Sequence, residues 1–256
     1  MLIVWMIPNG LNDQQGFGKI DVLALDRAVM QQQLQAIQQR IVQACDQAGR
    51  DASTVRLLPV SKTFSHDRVQ QAIDLGLRRF GESRAQDLRE RVSHFTRSDV
   101  DWVMIGHVQT NKAKEIARYA SELQSLDRLA LAQALQQRLE LEQRSLRVFI
   151  QVKTAREASK SGLEPAELLG FLTQIKSCHR LQPVGLMTMA TQTNDANEVR
   201  RCFAQLRQLR DQALAQGHAN IQRLSMGMSS DFELAIAEGA TDIRVGSALF
   251  GERDNP

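Results

Sequence analysis

The chain is poor in the residues that staple or wire a protein covalently. Its 256 residues include three cysteines, Cys45, Cys178 and Cys202, which lie far apart and form neither a CxxC pair nor a Cys/His ligand spacing. That excludes a disulfide framework and a thiolate zinc site, assigns no metal, and suits a reducing compartment, so a cytoplasmic location is expected. Long apolar runs are missing too. None approaches the roughly 18 residues of a membrane-spanning helix, and the opening MLIVWMIP has no Lys or Arg ahead of its apolar stretch. No membrane association is expected. An excess of one charge is likewise absent: the formal net charge is +3, with basic and acidic residues interleaved. No stripe exists to neutralise nucleic-acid phosphates, so nucleic acid is not an expected partner. Finally there is no Pro/Gly/Ser-rich linker, no low-complexity stretch and no GxGxxG turn. These absences argue against a two-domain chain and against a dinucleotide-binding doubly wound sheet.

What is present is a soluble, globular composition, 43% hydrophobic and 24% charged. From Asp26 to Gly49, Leu34, Ile37, Ile41 and Ala44 recur at helical spacing before a glycine stop, which predicts an amphipathic helix. Beyond it, eight β-prone runs alternate with segments of helical period: 55–63, 78–83, 100–106, 122–127, 147–154, 183–190, 223–229 and 242–250. Eight is the number that closes a barrel. The prediction is an α/β chain: a single (β/α)8 TIM-type barrel over 26–256 with an extra N-terminal helix, after a poorly ordered extension at 1–25.

Barrel chemistry collects at the carboxyl ends of the strands. Lys62 ends the first run and shares the face of Leu58 and Val60. An amine among aliphatic side chains loses part of its preference for the charged form and can attack a carbonyl, although a rim lysine paired with a neighbouring carboxylate has the same spacing. After the seventh run, Ser229, Ser230 and Asp231 precede FELAIAEG, so Ser229 or Ser230 is placed to cap a helix. After the eighth core, Gly246 and Ser247 offer close backbone approach and a hydroxyl. Loops in these positions bind phosphate in many barrels. Arg244, inside the eighth run, needs an acceptor, either a carboxylate such as Glu82 or a ligand atom. A Schiff-base lysine, a phosphate cradle and an inward arginine together describe a pyridoxal 5′-phosphate (PLP) site. Ile105, closing the third run, and Met226, in the seventh, are assigned to the same cofactor's contacts.

The stretches PVSKT, FGES, IGHVQTNKAK, GLMTMA and LSMGMSSDFELAIAEGATDIRVGSALFGER resemble, in order, those of the pyridoxal-phosphate homeostasis protein family, whose barrel is similar to the N-terminal domain of alanine racemase. The match spans roughly residues 28 to 253. The resemblance implies that Lys62 is the Schiff-base lysine, that Ser229, Gly246 and Ser247 hold the phosphate, and that Arg244 faces the pyridine nitrogen. Where the family has an asparagine after Gly81-Glu82, this chain has Ser83, a shorter hydroxyl near the cofactor.

Other residues carry less. His107 follows the third run and is a candidate acid or base, whereas His66, His94, His179 and His218 fall in helix or loop and are expected to be exposed. Lys112 and Lys114 read as a solvated face, Lys153 and Lys160 as surface lysines near the mouth, and Met187, Met189, Met226 and Met228 as barrel filling or cofactor packing. The one tyrosine, Tyr119, precedes the fourth run, at the wrong end of the barrel for a second racemase base. With no catalytic residue assigned, the expectation is a monomeric PLP carrier or buffer serving vitamin B6 and amino-acid homeostasis, with PLP-dependent apoenzymes as recipients. The alternatives are a PLP-dependent amino-acid racemase or decarboxylase using Lys62 and His107, and a cofactor-free Schiff-base aldolase acting on a phosphosugar.

Overall fold

Each of the eight β-prone runs overlaps one strand in the computed structural model, which describes residues 22–157 and 161–251. Helix α1 (Val22–Gln47) comes first. Strands and helices then alternate: β1 (Arg56–Pro59), α2 (His66–Asp74), β2 (Arg79–Glu82), α3 (Ala85–His94), β3 (Asp101–Met104), α4 (Ala113–Tyr119), β4 (Glu122–Leu126) and α5 (Leu129–Leu141). The second half adds β5 (Leu146–Gln151), α6 (Leu168–Gln174), β6 (Leu181–Met187), α7 (Ala196–Ala215), β7 (Arg223–Ser225), α8 (Phe232–Ala237), β8 (Asp242–Val245) and α9 (Ser247–Phe250).

All strand pairs are parallel, in the order β1-β8-β7-β6-β5-β4-β3-β2. The remaining seam, between β1 and β2, is joined by the Val60–Gly81 bridge, where Ser61 N donates to Gly81 O at 3.0 Å. The result is a nearly closed eight-stranded barrel, as predicted. Alternation along each strand sends one set of side chains to the helices and the other to the lumen. Phe80, Trp102, Leu123, Val148, Leu186, Leu224 and Ile243 belong to the apolar layer under the helices.

The lumen is polar at its amino end. Asp242 is 2.8 Å from Arg56, 2.6 Å from Arg223 and 3.5 Å from Arg79, while Glu122 is 2.9 Å from Arg79 and 3.2 Å from Arg223. Both carboxylates are fully buried, and the Arg223 guanidinium also lies over the Phe149 ring at 4.6 Å. Gly185 is required here by space. A Cβ at that position would sit 2.2 Å from Arg223 O, a backbone atom with no room to yield.

The boundaries shift most at the two ends of the chain. Helix α1 starts at Val22, so the last four residues of the expected 1–25 extension are helical, and residues 1–21 lie outside the described residues. The eighth run is a strand only to Val245. Gly246, at φ −110 and ψ −85, turns the chain out of the ladder, and Ser247–Phe250 is a helical turn rather than strand. No helix among the described residues is long and apolar enough to cross a membrane, and no group of three or more metal-ligating side chains occurs among them.

Helix α1 packs on α8 and α9 through Met30, Leu34, Ile37, Ile41 and Ala44, all buried. Arg40 Nε donates to Glu233 at 2.6 Å, its guanidinium lies 4.3 Å over Phe232, and its Nη2 donates to Ser229 O at 3.3 Å. The extra helix therefore braces the segment that follows β7. Replacing Ile37, 2% exposed, with Ala is expected to cost about 2–4 kcal/mol in urea unfolding. Val42→Ala, on the solvent face at 46% exposure, is expected to stay within about 0.5 kcal/mol.

Candidate cofactor site

The observed strands stop short of the carboxyl ends of the predicted runs, and the residues left over form the mouth. Lys62 and Ser83 follow β1 and β2, Ile105 and His107 follow β3, and Gln151 closes β5. Met187 and Met189 come at the end of β6, Met228, Ser229 and Ser230 after β7, and Gly246 and Ser247 after β8, with Arg244 inside β8. All of them line one cavity of about 540 Å³. Lys62 and the β8 residues are neighbours because β1 pairs with β8, with Leu58 opposite Arg244 and Pro59 opposite Val245.

Of the predicted contacts, Lys62, Ser83, Ile105, Ser229, Arg244, Gly246 and Ser247 reach the cavity. Met226 does not. Arg223 and Ser225 face the lumen, so Met226 takes the opposite side of the chain and is fully buried in the apolar layer under the helices. Gly227, at φ +92, then reverses the chain and presents Met228 to the cavity instead. A side chain at Gly227 would be strained by that φ and would also meet Ala235 Cβ at 2.6 Å.

Lys62 sits on a clamped turn. Thr63 adopts φ 70, a left-handed conformation that costs a β-branched residue about 1 kcal/mol or more. What holds it is Arg91 from α3: Nη2 donates to Ser61 O and Phe64 O, the carbonyls on either side of Lys62-Thr63. Its Nε donates to Glu82 Oε1 at 3.0 Å, and Ser61 Oγ donates to the same oxygen at 2.7 Å. Burial pushes the Glu82 carboxyl up, against the pull of Ser61 and Arg91. Glu82 is therefore not the partner of Arg244 that the sequence allowed. It alternates with lumen-facing Gly81 and Ser83, so it projects toward α3.

Arg244, 5% exposed, instead donates from Nη1 to Ser225 Oγ and from Nη2 to Thr188 O, both at 2.8 Å. Burial pushes the guanidinium down to about 10, while Asp231 and Asp242 act in the other direction. It stays protonated at neutral pH.

At the opposite wall, neither Ser229 nor Ser230 caps α8. Asp231 is the residue before the helix, and its Oδ1 accepts from Met228 N at 2.6 Å, closing a turn over the two serines. The expected capping is thus replaced by an Asp-closed turn, and both serines line the cavity. A Cβ at Gly246 would stand 3.4 Å from Val60 O, in ordinary van der Waals contact with the segment that follows β1.

His107 lines the same cavity, half-exposed, with Nδ1 3.3 Å from Asp127 Oδ2; Arg128 holds the other oxygen at 2.6 Å. Val60 and Gly106 complete the lining together with Gln151, Ser161 and Gln192, which were not anticipated. Gln151 carried one signal, a polar residue ending an apolar run. Lys153 pairs with Glu164 at 3.2 Å, and Lys160 lies outside the described residues. Tyr119 ends α4, before β4 and so at the amino end of the barrel. The donor set of one amine, one buried guanidinium, three serine hydroxyls beside a glycine and aliphatic walls fits an anionic, aldehyde-bearing aromatic ring.

This fold and site define a class: residues 32–254 match the family described as alanine racemase, N-terminal domain. At closer range, the chain is 36% identical over 222 residues to the pyridoxal phosphate homeostasis protein of Aquifex aeolicus, covering 87% of this chain and 97% of that relative. It is 40% identical over 215 residues to the protein of the same name from Pseudomonas aeruginosa, covering 84% and 92%. The chain belongs to the pyridoxal phosphate homeostasis protein family. Among solved structures, PipY of Synechococcus elongatus with PLP bound matches with TM-score 0.77 at 32% identity, covering 87% of this chain and 100% of that one. Alanine racemase of Clostridium difficile matches with TM-score 0.68 at 10% identity, covering 85% and 57%, which is a likeness of fold.

His66, expected to be exposed, is instead half-buried, stacked on His94 with ring centroids 4.0 Å apart and 2.9 Å from Arg91 through Nδ1. Burial, Arg91 and His94 all hold it below its ordinary 6.5, with Glu90 and Asp67 opposing. The neutral ring is the one the fold prefers, so the stability it contributes is complete above the unfolded value of 6.5 and is lost as pH falls from there through the lowered folded value. Urea midpoints are expected to fall as pH is lowered below about 6.5, and to fall less steeply in His66→Gln.

Proposed function

We propose that the chain binds pyridoxal 5′-phosphate in the cavity at the carboxyl end of its barrel and serves PLP and amino-acid homeostasis as a carrier or buffer. The observation that carries this reading is the convergence of Lys62 with Arg244, Gly246 and Ser247 across the β1–β8 pairing, with Ser229 opposite. The family and the PLP-bound PipY structure support it. When bound, the cofactor supplies an electrophilic aldehyde on an electron-withdrawing ring.

The rest falls to the chain's own side chains. Lys62 provides the amine for a Schiff base, on a turn held by Arg91 and Glu82. Ser229, Ser230, Ser247 and the Gly246 backbone receive the phosphate. Arg244 has donors and no acceptor, so a ring nitrogen facing it remains unprotonated and carbanion chemistry is disfavoured. Ile105 and Met228 would supply apolar contacts to the ring, and Ser83 a hydroxyl, from the cavity wall. PLP-dependent apoenzymes in the cytoplasm are the recipients this reading implies.

A second reading, turnover of an amino acid by racemisation or decarboxylation, rests on the His107–Asp127 pair at the cavity wall. It predicts amino-acid consumption that His107→Ala abolishes while PLP stays bound. For the carrier reading, protein purified with PLP is expected to show a visible absorbance band, and borohydride is expected to fix one cofactor mass on Lys62 by peptide mapping. Lys62→Ala is expected to lose both signals. Wild-type protein that binds no PLP under any condition would sink the proposal, and a colourless protein that forms adducts with phosphosugars would point to an aldolase.

A further inference from the structure

A file of buried hydrogen bonds runs from the site back through the lumen. Arg244 Nη1 donates to Ser225 Oγ at 2.8 Å, Ser225 Oγ donates to Gln124 Oε1 at 2.7 Å, and Gln124 Nε2 donates to Glu122 Oε1 at 2.8 Å. Ser225, Gln124 and Glu122 are each 0% exposed, so water does not compete for these groups.

The direction of every bond is forced. A guanidinium offers only donors. Burial pushes the Glu122 carboxyl up, but Arg79, Gln124 and Arg147 pull the other way and, with the Arg79 and Arg223 guanidiniums against it, it acts as an acceptor. Glu122, held by Arg79 at 2.9 Å and Arg223 at 3.2 Å, takes the amide N–H of Gln124 and thereby turns Gln124 Oε1 toward Ser225. The Ser225 proton must then go to Gln124, which leaves the hydroxyl lone pairs to Arg244. The second anchor is equally defined: Thr188 O accepts from Arg244 Nη2, and Thr188 Oγ1 is 2.9 Å from Thr154 Oγ1 and donates to Val152 O at 2.8 Å. Two anchors on different nitrogens fix the guanidinium plane. The remaining donors are left to the cavity that Arg244 lines.

Neither Gln124 nor Ser225 lines that cavity, and neither was singled out by the sequence. We propose that Gln124 and Ser225 are positioning residues that aim Arg244 and so make the site selective for an aromatic ring carrying an unprotonated acceptor nitrogen at the position Arg244 faces. This rests on the PLP reading and goes beyond it, because it assigns ligand selectivity to residues that never touch the ligand. A site whose buried donor is rigidly aimed rejects a ligand without the acceptor, since that donor would be left unpaired; a donor free to swing away would not.

The test compares the affinity of the full chain for PLP with that for its analogue in which ring nitrogen is replaced by C–H, by equilibrium dialysis. Wild type is expected to favour PLP by about tenfold or more, the effect of one well-made hydrogen bond to a charged group. Ser225→Ala and Gln124→Met are expected to bring the ratio near one, and Ser225→Thr, which keeps the hydroxyl, to restore it. In an Arg244→Ala background the Ser225 and Gln124 substitutions should have no further effect on the ratio, which a general loosening of the barrel would not produce. Thermal unfolding of the ligand-free chains checks that each variant is folded, and Ser225→Ala, the smallest change, decides if Gln124→Met is not. Wild-type selectivity retained in Ser225→Ala overturns this inference while leaving PLP binding intact. Wild type that binds PLP and its carbon analogue equally also overturns it, and wild type that binds neither overturns both this inference and the PLP reading.

Discussion

A guanidinium buried in the middle of a barrel is the constraint around which this molecule is organised. Arg244 sits on the last strand, almost out of reach of water, and an uncompensated charge there would cost several kcal/mol. The structure meets that cost without a direct carboxylate partner among the described residues. It supplies a hydroxyl and a carbonyl at 2.8 Å and leaves the counter-charge to Asp231 and Asp242 at longer range. A carboxylate in contact would neutralise the arginine for any ligand. A neutral hydroxyl and carbonyl hold it in place and leave its charge available at the mouth.

That choice propagates downward. Filling the lumen with Gln124 and Ser225 requires further partners, because a half-satisfied buried polar group is worse than none. The series ends at Glu122 and Asp242, each surrounded by arginines that emerge at the amino end of the barrel. The same logic shapes the lysine turn. Thr63 is held in a left-handed conformation, and the Arg91–Glu82 pair behind it over-determines the path of the chain on both sides of Lys62. On the opposite wall, Arg40 of α1 reaches the carbonyl of Ser229. The extra helix is thus part of the support of the site, although it contributes no residue to the cavity.

Much of this was legible in residue order. Period-two and period-3.6 patterns gave the eight strands and their alternation with helices, and the ends of the apolar runs marked the mouth. What resisted reading did so for local geometric reasons. Met226 and Met228 look alike in RLSMGMSS, and only the positive φ of Gly227 decides which one meets the cavity. The eighth run continues as apolar residues through Phe250, yet Gly246 ends the strand, so composition hid a helical turn. Arg91 and His66 belong to amphipathic helices and carry no mark of their contact with the Lys62 turn, since that contact depends on how α2 and α3 pack beside it.

The sequence by itself determined the chemistry available: one lysine at the end of a buried run, an inward arginine, and glycine with hydroxyls after the last two strands. These follow from residue type and spacing, which do not depend on closure of the barrel. Only the tertiary structure decided who partners whom. Glu82 was a plausible acceptor for Arg244 until strand alternation turned it toward α3, and Ser225 became that acceptor because β7 lies beside β8. Hydrogen-bond partners are chosen by side-chain direction and distance across strands remote in sequence, and those exist only once β1 meets β8 and the sheet curls into a barrel.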